Sequence, residues 1–175
     1  MASTPTTAPL NGVKLETVGE LASAIRDDGD KADTTWSASV TWDEGFRSQA
    51  QIREFAPLTS DEPEGLGGDD TAPNPVEQLL GAFGNCLAVG YAANASAAGI
   101  EIRDLKIDVE GDLNLQTFLG LDGSGNAGYE GIRVKVHLDS DASDDAVAKL
   151  HETVAGTSPV GHTLSRPVPV EVELA

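Results

Sequence analysis

The chain of 175 residues contains one side chain able to act as a soft nucleophile, the sole cysteine, Cys86. A cysteine thiolate attacks sulfur or peroxide oxygen, and after meeting a peroxide it carries a sulfenic acid. Two readings of Cys86 stand side by side. Free cysteine is often buried and then packs as a small, inert hydrophobe. A working thiolate instead needs a cation beside it. One cysteine excludes an intrachain disulfide, and a reducing cytoplasm is the expected location. The other candidates for chemistry are His137, His151 and His162. They show no ligand spacing with Cys86 or with one another. His137 falls on the polar face of a strand and His151 on a helix. His162 is either a plain loop histidine or a contact of the site segment. Gly67-Gly68 and the later Gly-Ser-Gly stretch lack a strand-to-helix setting, so no phosphate loop or dinucleotide site is read there. No metal and no cofactor is expected.

The element that must position Cys86 is a long apolar run, Val76 to Ile100. It contains Glu77, Gln78, Asn85 and Asn94 and many small residues, which is too polar for a membrane span. It reads as a buried helix. Asn74 is a natural N-cap, Pro75 suits the first helical position, and Gly99 suits the end. A helix that is apolar nearly all round must be covered on all sides. A chain of this length can hardly cover it alone, so a partner chain is expected. Gly84, Ala88 and Ala92 recur every four residues and form a stripe of small side chains that lets another helix approach. A twofold homodimer with packed central helices is the expectation.

Around this helix, Val18 to Asp27 reads as a short helix with Leu21, Ala22 and Ile25 on one face. Trp36 to Trp42 and Phe46 to Phe55 alternate and flank Asp43-Glu44-Gly45, which predicts a hairpin. Arg47, Gln49, Gln51 and Arg53 fall on its polar face. Residues Asp61 to Pro75 read as an irregular loop. Ile102 to Gly111 and Gly131 to Leu138 read as strands, with loop between them anchored by Phe118, Leu119 and Leu121. Ser143 caps a helix to about Val154, with Asp144 and Asp145 in its first turn. Pro167 to Leu174 reads as a closing strand at a sheet edge. The class is α+β with antiparallel sheet around a long buried helix. Met1 to Asn11 reads as a frayed tail without a secretory signal. Residues 1–35 are expected to form an extension with a short helix, and 36–175 the main domain.

Charge narrows the partners. With 29 acidic residues against 11 Lys plus Arg, the formal net charge is −18. Such a surface repels phosphate backbones and anionic lipid, so neither nucleic acid nor membrane is an expected partner. Acidity spread along the chain suits a salt-rich, halophilic cytosol, where ions screen self-repulsion. Ordinary solubility tuning is the plainer alternative.

The segment from Asp61 to Ile100 carries more than composition. Gly67-Gly68, Asn74-Pro75, Glu77 to Leu80 and Cys86 together resemble the signature region of the OsmC/Ohr family (osmotically inducible protein C and organic hydroperoxide resistance). Phe118 to Leu121 and Ser158 to Leu174 resemble a single-cysteine OsmC-like branch, and the likeness runs from about Trp36 to Leu174. The resemblance implies an intertwined α+β homodimer with a site at each end of its interface. It also implies a peroxidatic thiolate at Cys86 that attacks an organic hydroperoxide. In the best-studied branches a second cysteine then closes a disulfide. Here Ser158 stands at that position, before Pro159, so an external thiol reductant must restore Cys86. Ser158 is equally read as a helix or turn cap. The family glutamate follows Asn-Pro directly, whereas here Val76 intervenes before Glu77. Glu77 lies about 13 Å along the helix from Cys86, so it acts through another group or a partner's site, or simply favours the helix dipole. The family arginine near the first hairpin turn corresponds to Arg47, with Arg53 as the other candidate. Each also fits an ordinary solvated face. Two functions follow. One is a thiol peroxidase that reduces organic hydroperoxides through Cys86. The other is a noncatalytic module that holds an apolar small molecule at the dimer interface.

Overall fold

A computed structural model describes residues 8–121 and 123–174. The first seven residues of the expected tail lie outside this range. The chain forms two compact units, one from Thr17–Gly81 and one from the residues up to Glu16 together with Ala82 onward.

The Thr17–Gly81 unit takes in most of α1 (Leu15–Asp27) and three short strands. These are β1 (Ser39–Trp42), β2 (Ser48–Gln51) and β3 (Leu58–Ser60), antiparallel in the order β1-β2-β3. Val40 lies opposite Ala50, and Gln49 opposite Thr59. The hairpin expected from alternation is present. Its turn closes with Arg47 N–H donating to Glu44 O at 2.9 Å, and Gly45 takes a φ of 56°. β2 is shorter than its alternation suggests. The Gln51 amide donates to the carbonyls of Arg53 and Phe55, and Arg53 itself sits at φ 50°. The chain therefore turns before Arg53, which does not share a strand face with Arg47 as expected. Strand β3 was not expected, because three residues after Pro57 are too few to show a period.

The irregular loop beyond β3 is organised around one buried carboxylate. Asp61, 1% exposed, accepts from the backbone N–H groups of Glu62, Asp69 and Thr71 and from the Thr71 hydroxyl. Gly68 is obligatory here, since a Cβ would lie 1.9 Å from the Glu62 carbonyl oxygen. The loop delivers the chain to α2 (Pro75–Ala97). There Glu77 N–H donates to the Asn74 side chain and Asn74 N–H donates to the Glu77 carboxylate, both at 2.9 Å. This reciprocal pair is a capping box, which satisfies two otherwise orphaned donors.

The second unit contains the rest of α2, β4 (Ile102–Leu113), a single turn α3 (Leu115–Phe118), β5 (Tyr129–Ser140), α4 (Asp144–Thr157) and α5 (Pro159–Ser165). β4 and β5 pair antiparallel, with Leu105 opposite Leu138, Ile107 opposite Val136 and Val109 opposite Val134. These apolar positions alternate with a charged face, where Lys106 faces His137, Asp108 faces Lys135 and Glu110 faces Arg133. The apolar face packs against the helices. Leu87, Tyr91 and Ala95 of α2 join Ile100, Leu150 and Val154 in the core, with Leu105, Ile107, Val136 and Leu138 beside them. The small stripe on α2 gives room partly to the chain's own sheet, since a Cβ on Gly84 would meet Val109 at 3.4 Å. Further along α2, Gly90 accepts the close approach of Val154.

A polar latch closes the corner after α2. Asn11, at φ 50°, donates its amide to Ser96 Oγ (3.1 Å) and Ile100 O (2.9 Å) and accepts from Ile102 N–H (2.8 Å). The expected closing strand over Pro167 to Leu174 is not formed. Val168, Val170, Val172 and Leu174 are exposed, and the segment lies in no sheet. Pro167 and Pro169 lack the N–H that a ladder would need at those positions. The mixed helix and antiparallel sheet class is nonetheless as expected.

Candidate functional site

Cys86 lies on α2 one residue before the core residue Leu87 and is partly exposed. Its Sγ is 3.2 Å from Ser158 Oγ. Ser158 is only 5% exposed and occupies the joint between α4 and α5, ending one helix and capping the next. Its hydroxyl accepts from Gly161 N–H at 3.1 Å, and its carbonyl accepts from His162 N–H at 2.9 Å. With Oγ already accepting, the hydroxyl proton is free for the sulfur. When Cys86 is a thiolate it has no proton, so Ser158 must be the donor. The cap expected at Ser158 and its neighbourhood to Cys86 are therefore one arrangement. Gly161 keeps it tight, because a Cβ there would sit 3.1 Å from the Phe83 ring and 3.2 Å from Ser158.

A cavity of about 340 Å³ opens beside this pair, lined from α2 by Phe83, Leu87 and Tyr91 and from β5 by Val134 and Val136. α4 adds His151 and Ala155, and α5 adds Gly161, His162 and Ser165. His162, expected in a loop or against the site segment, lies on α5 and lines this cavity. Tyr91, 2% exposed, bonds through its hydroxyl to His151 Nδ1, and burial pushes its phenol above the usual range. The phenol stays protonated, and when it donates to Nδ1 the imidazole is left with Nε2–H as its free donor. Sequence reading missed this pair, because its members stand 60 residues apart on different helices. Among the described residues, no cluster of His, Cys, Asp or Glu has the arrangement of a metal site.

The remaining candidates belong to the Thr17–Gly81 unit. Arg47 follows the hairpin turn and pairs with both Glu44 and Asp69. Arg53 stacks its guanidinium over the Phe55 ring, 4.6 Å from the centroid. Glu77 is engaged in the capping box with Asn74, a more specific contact than the helix-dipole charge expected of it. Asp61 was also missed. It stands among Asp and Glu residues of a loop, and only its four donors distinguish it. The Thr71 hydroxyl, followed by backbone N–H groups, holds its carboxyl below the usual range.

Comparison with known proteins agrees with this architecture. Bacillus subtilis YmaD is 35% identical over 92 residues, covering 51% of this chain and 57% of that protein, so the chain spans little more than half the length of this curated relative. An OsmC-like protein from Mycoplasma pneumoniae has a similar structure, with a TM-score of 0.66 at 20% identity over 76% of this chain and 89% of that one. An organic hydroperoxide resistance protein OsmC from Legionella pneumophila gives 0.58 at 15% identity, covering 75% and 91%. At these identities the two structures speak for the fold alone. The profile of the OsmC-like protein family matches residues 67–173, which include the Gly-rich loop, all of α2 with Cys86, and Ser158, and on that match the chain belongs to the OsmC-like protein family.

Proposed function

We propose that this protein reduces organic hydroperoxides through the thiolate of Cys86. The observation that carries the reading is the 3.2 Å contact of Cys86 Sγ with the buried hydroxyl of Ser158. It supplies a donor to the thiolate at the position where a resolving cysteine would otherwise stand. Membership of the OsmC-like family supports a peroxide-related role.

The thiolate attacks the distal oxygen of the peroxide and the O–O bond breaks. Sulfur is oxidised to sulfenic acid, and the departing alkoxide takes a proton to become an alcohol. Ser158 has no thiol to resolve this state. An external thiol condenses with the sulfenic acid, releasing water and leaving a mixed disulfide. A second thiol attacks that disulfide, which restores Cys86 and carries away the oxidised reductant. Arg47 is the proposed cation for the thiolate. Glu77 would act by holding the helix start. The working unit is a homodimer, for which the half-exposed α2 (Val89 is 69% exposed) and the unpaired Val168 to Leu174 segment provide apolar surface. Among the described residues, no helix is long and apolar enough to cross a membrane.

The test is intact mass after brief exposure to cumene hydroperoxide at high salt, with a sulfenic acid trap and a parallel assay of peroxide. Wild type should gain the trap mass, consume peroxide and return to its starting mass with added thiol, whereas Cys86→Ser should do none of these. An unmodified wild-type protein with peroxide untouched would refute the proposal.

A further inference from the structure

The cavity beside Cys86 has a chemistry of its own. Phe83, Leu87, Val134, Val136 and Ala155 give it an apolar wall, and Tyr91, His151, His162 and Ser165 add polar groups. Its volume, about 340 Å³, falls in the range of small-molecule sites. The lining is unusual for this chain in its charge. Asp and Glu make up 29 of 175 residues, yet neither occurs among the ten lining residues, and two of the three histidines do. The cavity is thus a carboxylate-free, imidazole-bearing recess in a molecule of net charge −18.

We propose that this cavity binds an amphipathic anion of the medium-chain carboxylate class, its chain against α2 and β5 and its head on the His151 and His162 imidazoles. The Tyr91–His151 bond gives the head a preorganised partner. In the tautomer whose Nδ1 accepts from the phenol, Nε2–H is the donor that remains, and a hydrogen bond from it to a carboxylate is charge-assisted. The absence of lining carboxylates removes the repulsion that an anion meets elsewhere on this surface. This goes beyond the peroxidase reading and does not depend on it, because no lining residue reacts. The two fail separately if all binding is measured on the Cys86→Ser variant.

The experiment is calorimetric titration of Cys86→Ser at high salt with decanoate, decan-1-ol and decylammonium, each kept below its aggregation limit. Imidazole C–H signals are followed by NMR on the same samples. Decanoate should bind roughly tenfold more tightly than decanol, as one charge-assisted hydrogen bond provides, and decylammonium should bind least. The signals of His151 and His162 should move while that of His137 stays. Adding His162→Gln should cut decanoate affinity roughly tenfold and leave decanol as it was. Adding Ala155→Trp should abolish binding of all three while circular dichroism stays native. Equal affinity for decanoate and decanol would overturn the anion preference. Binding that survives Ala155→Trp, or no binding to the folded protein, would overturn the site.

Discussion

The contact between Ser158 and Cys86 makes a quantitative demand on the thiol's reactivity. Replacing Ser158 with alanine removes the hydroxyl 3.2 Å from Sγ and leaves the thiolate without that donor. A hydrogen bond to a charged group contributes about 1.5–3 kcal/mol. Because Cys86 is partly exposed, the lower end applies, and about 1.5–2 kcal/mol reduces the thiolate population roughly ten- to thirtyfold. The remaining thiolate is more basic and so more nucleophilic. A Brønsted slope of about 0.4–0.5 recovers nearly half of that loss on a logarithmic scale. The expected net effect is a roughly three- to eightfold slower alkylation by iodoacetamide at neutral pH. The assay is mass spectrometry of quenched time points. Ser158→Ala also loses the cap of α5, which costs about 1 kcal/mol in stability, so thermal melts must show each variant folded at the assay temperature. Ser158→Thr keeps both hydroxyl and cap and should alkylate close to the wild-type rate. If folded Ser158→Ala reacts as fast as wild type, the hydroxyl does not support a thiolate and the reasoning fails.

Four further outcomes follow from the same structure. Ser158→Cys should form an intramolecular disulfide on peroxide treatment, seen as loss of two hydrogens in intact mass, since Sγ and Oγ already stand 3.2 Å apart; a sulfenic acid that persists in this variant would contradict the geometry. Gly90→Ala would bring a Cβ within 2.9 Å of Val154, which is 1% exposed, and should lower stability by about 1–3 kcal/mol in denaturant melts, whereas a gain would show that α2 and α4 have room to part. Asp61 has a depressed folded pKa, so its contribution is complete above the ordinary carboxyl value of 3.8 and is lost as pH falls through the lower folded value. The amide signals of Asp69 and Thr71 should shift in that acid window and lose the transition in Asp61→Asn. Finally, a net charge of −18 should make the melting temperature climb between 0.1 and 1 M KCl, as the Debye length shrinks from about 10 to about 3 Å; a flat profile would remove self-repulsion as a factor.

Local signals were the most readable part of this sequence. The start of α2 is written in Asn74, Pro75 and Glu77, and the start of α4 in Ser143, because caps depend on residues three apart. β5 was legible from Ile132, Val134, Val136 and Leu138, whose alternation over a full strand length fits a strand with one buried face. Long-range features were not. Tyr91 and His151 meet across two helices, and nothing in either segment announces the other. Cys86 and Ser158 are 72 residues apart, and only likeness to a family suggested their neighbourhood. The closing strand was misread for a related reason. Alternation at Val168, Val170 and Val172 describes a surface that suits pairing, but pairing needs a neighbour, and the alternation does not provide one.

The Asn11 latch bears on how the protein can be trimmed. The family match begins at residue 67, and a natural choice for a minimal fragment would discard everything before it. Yet Asn11 serves Ser96 Oγ, Ile100 O and Ile102 N–H, all at the corner where α2 hands over to β4. Cutting the chain after Asn11 would leave those groups to water at a corner where Ser96 is 4% and Ile100 9% exposed. The Leu10–Gly12 turn is in this sense a detached piece of the domain's own wall, and a protease that cuts behind it would loosen the far end of the helix that carries the thiol.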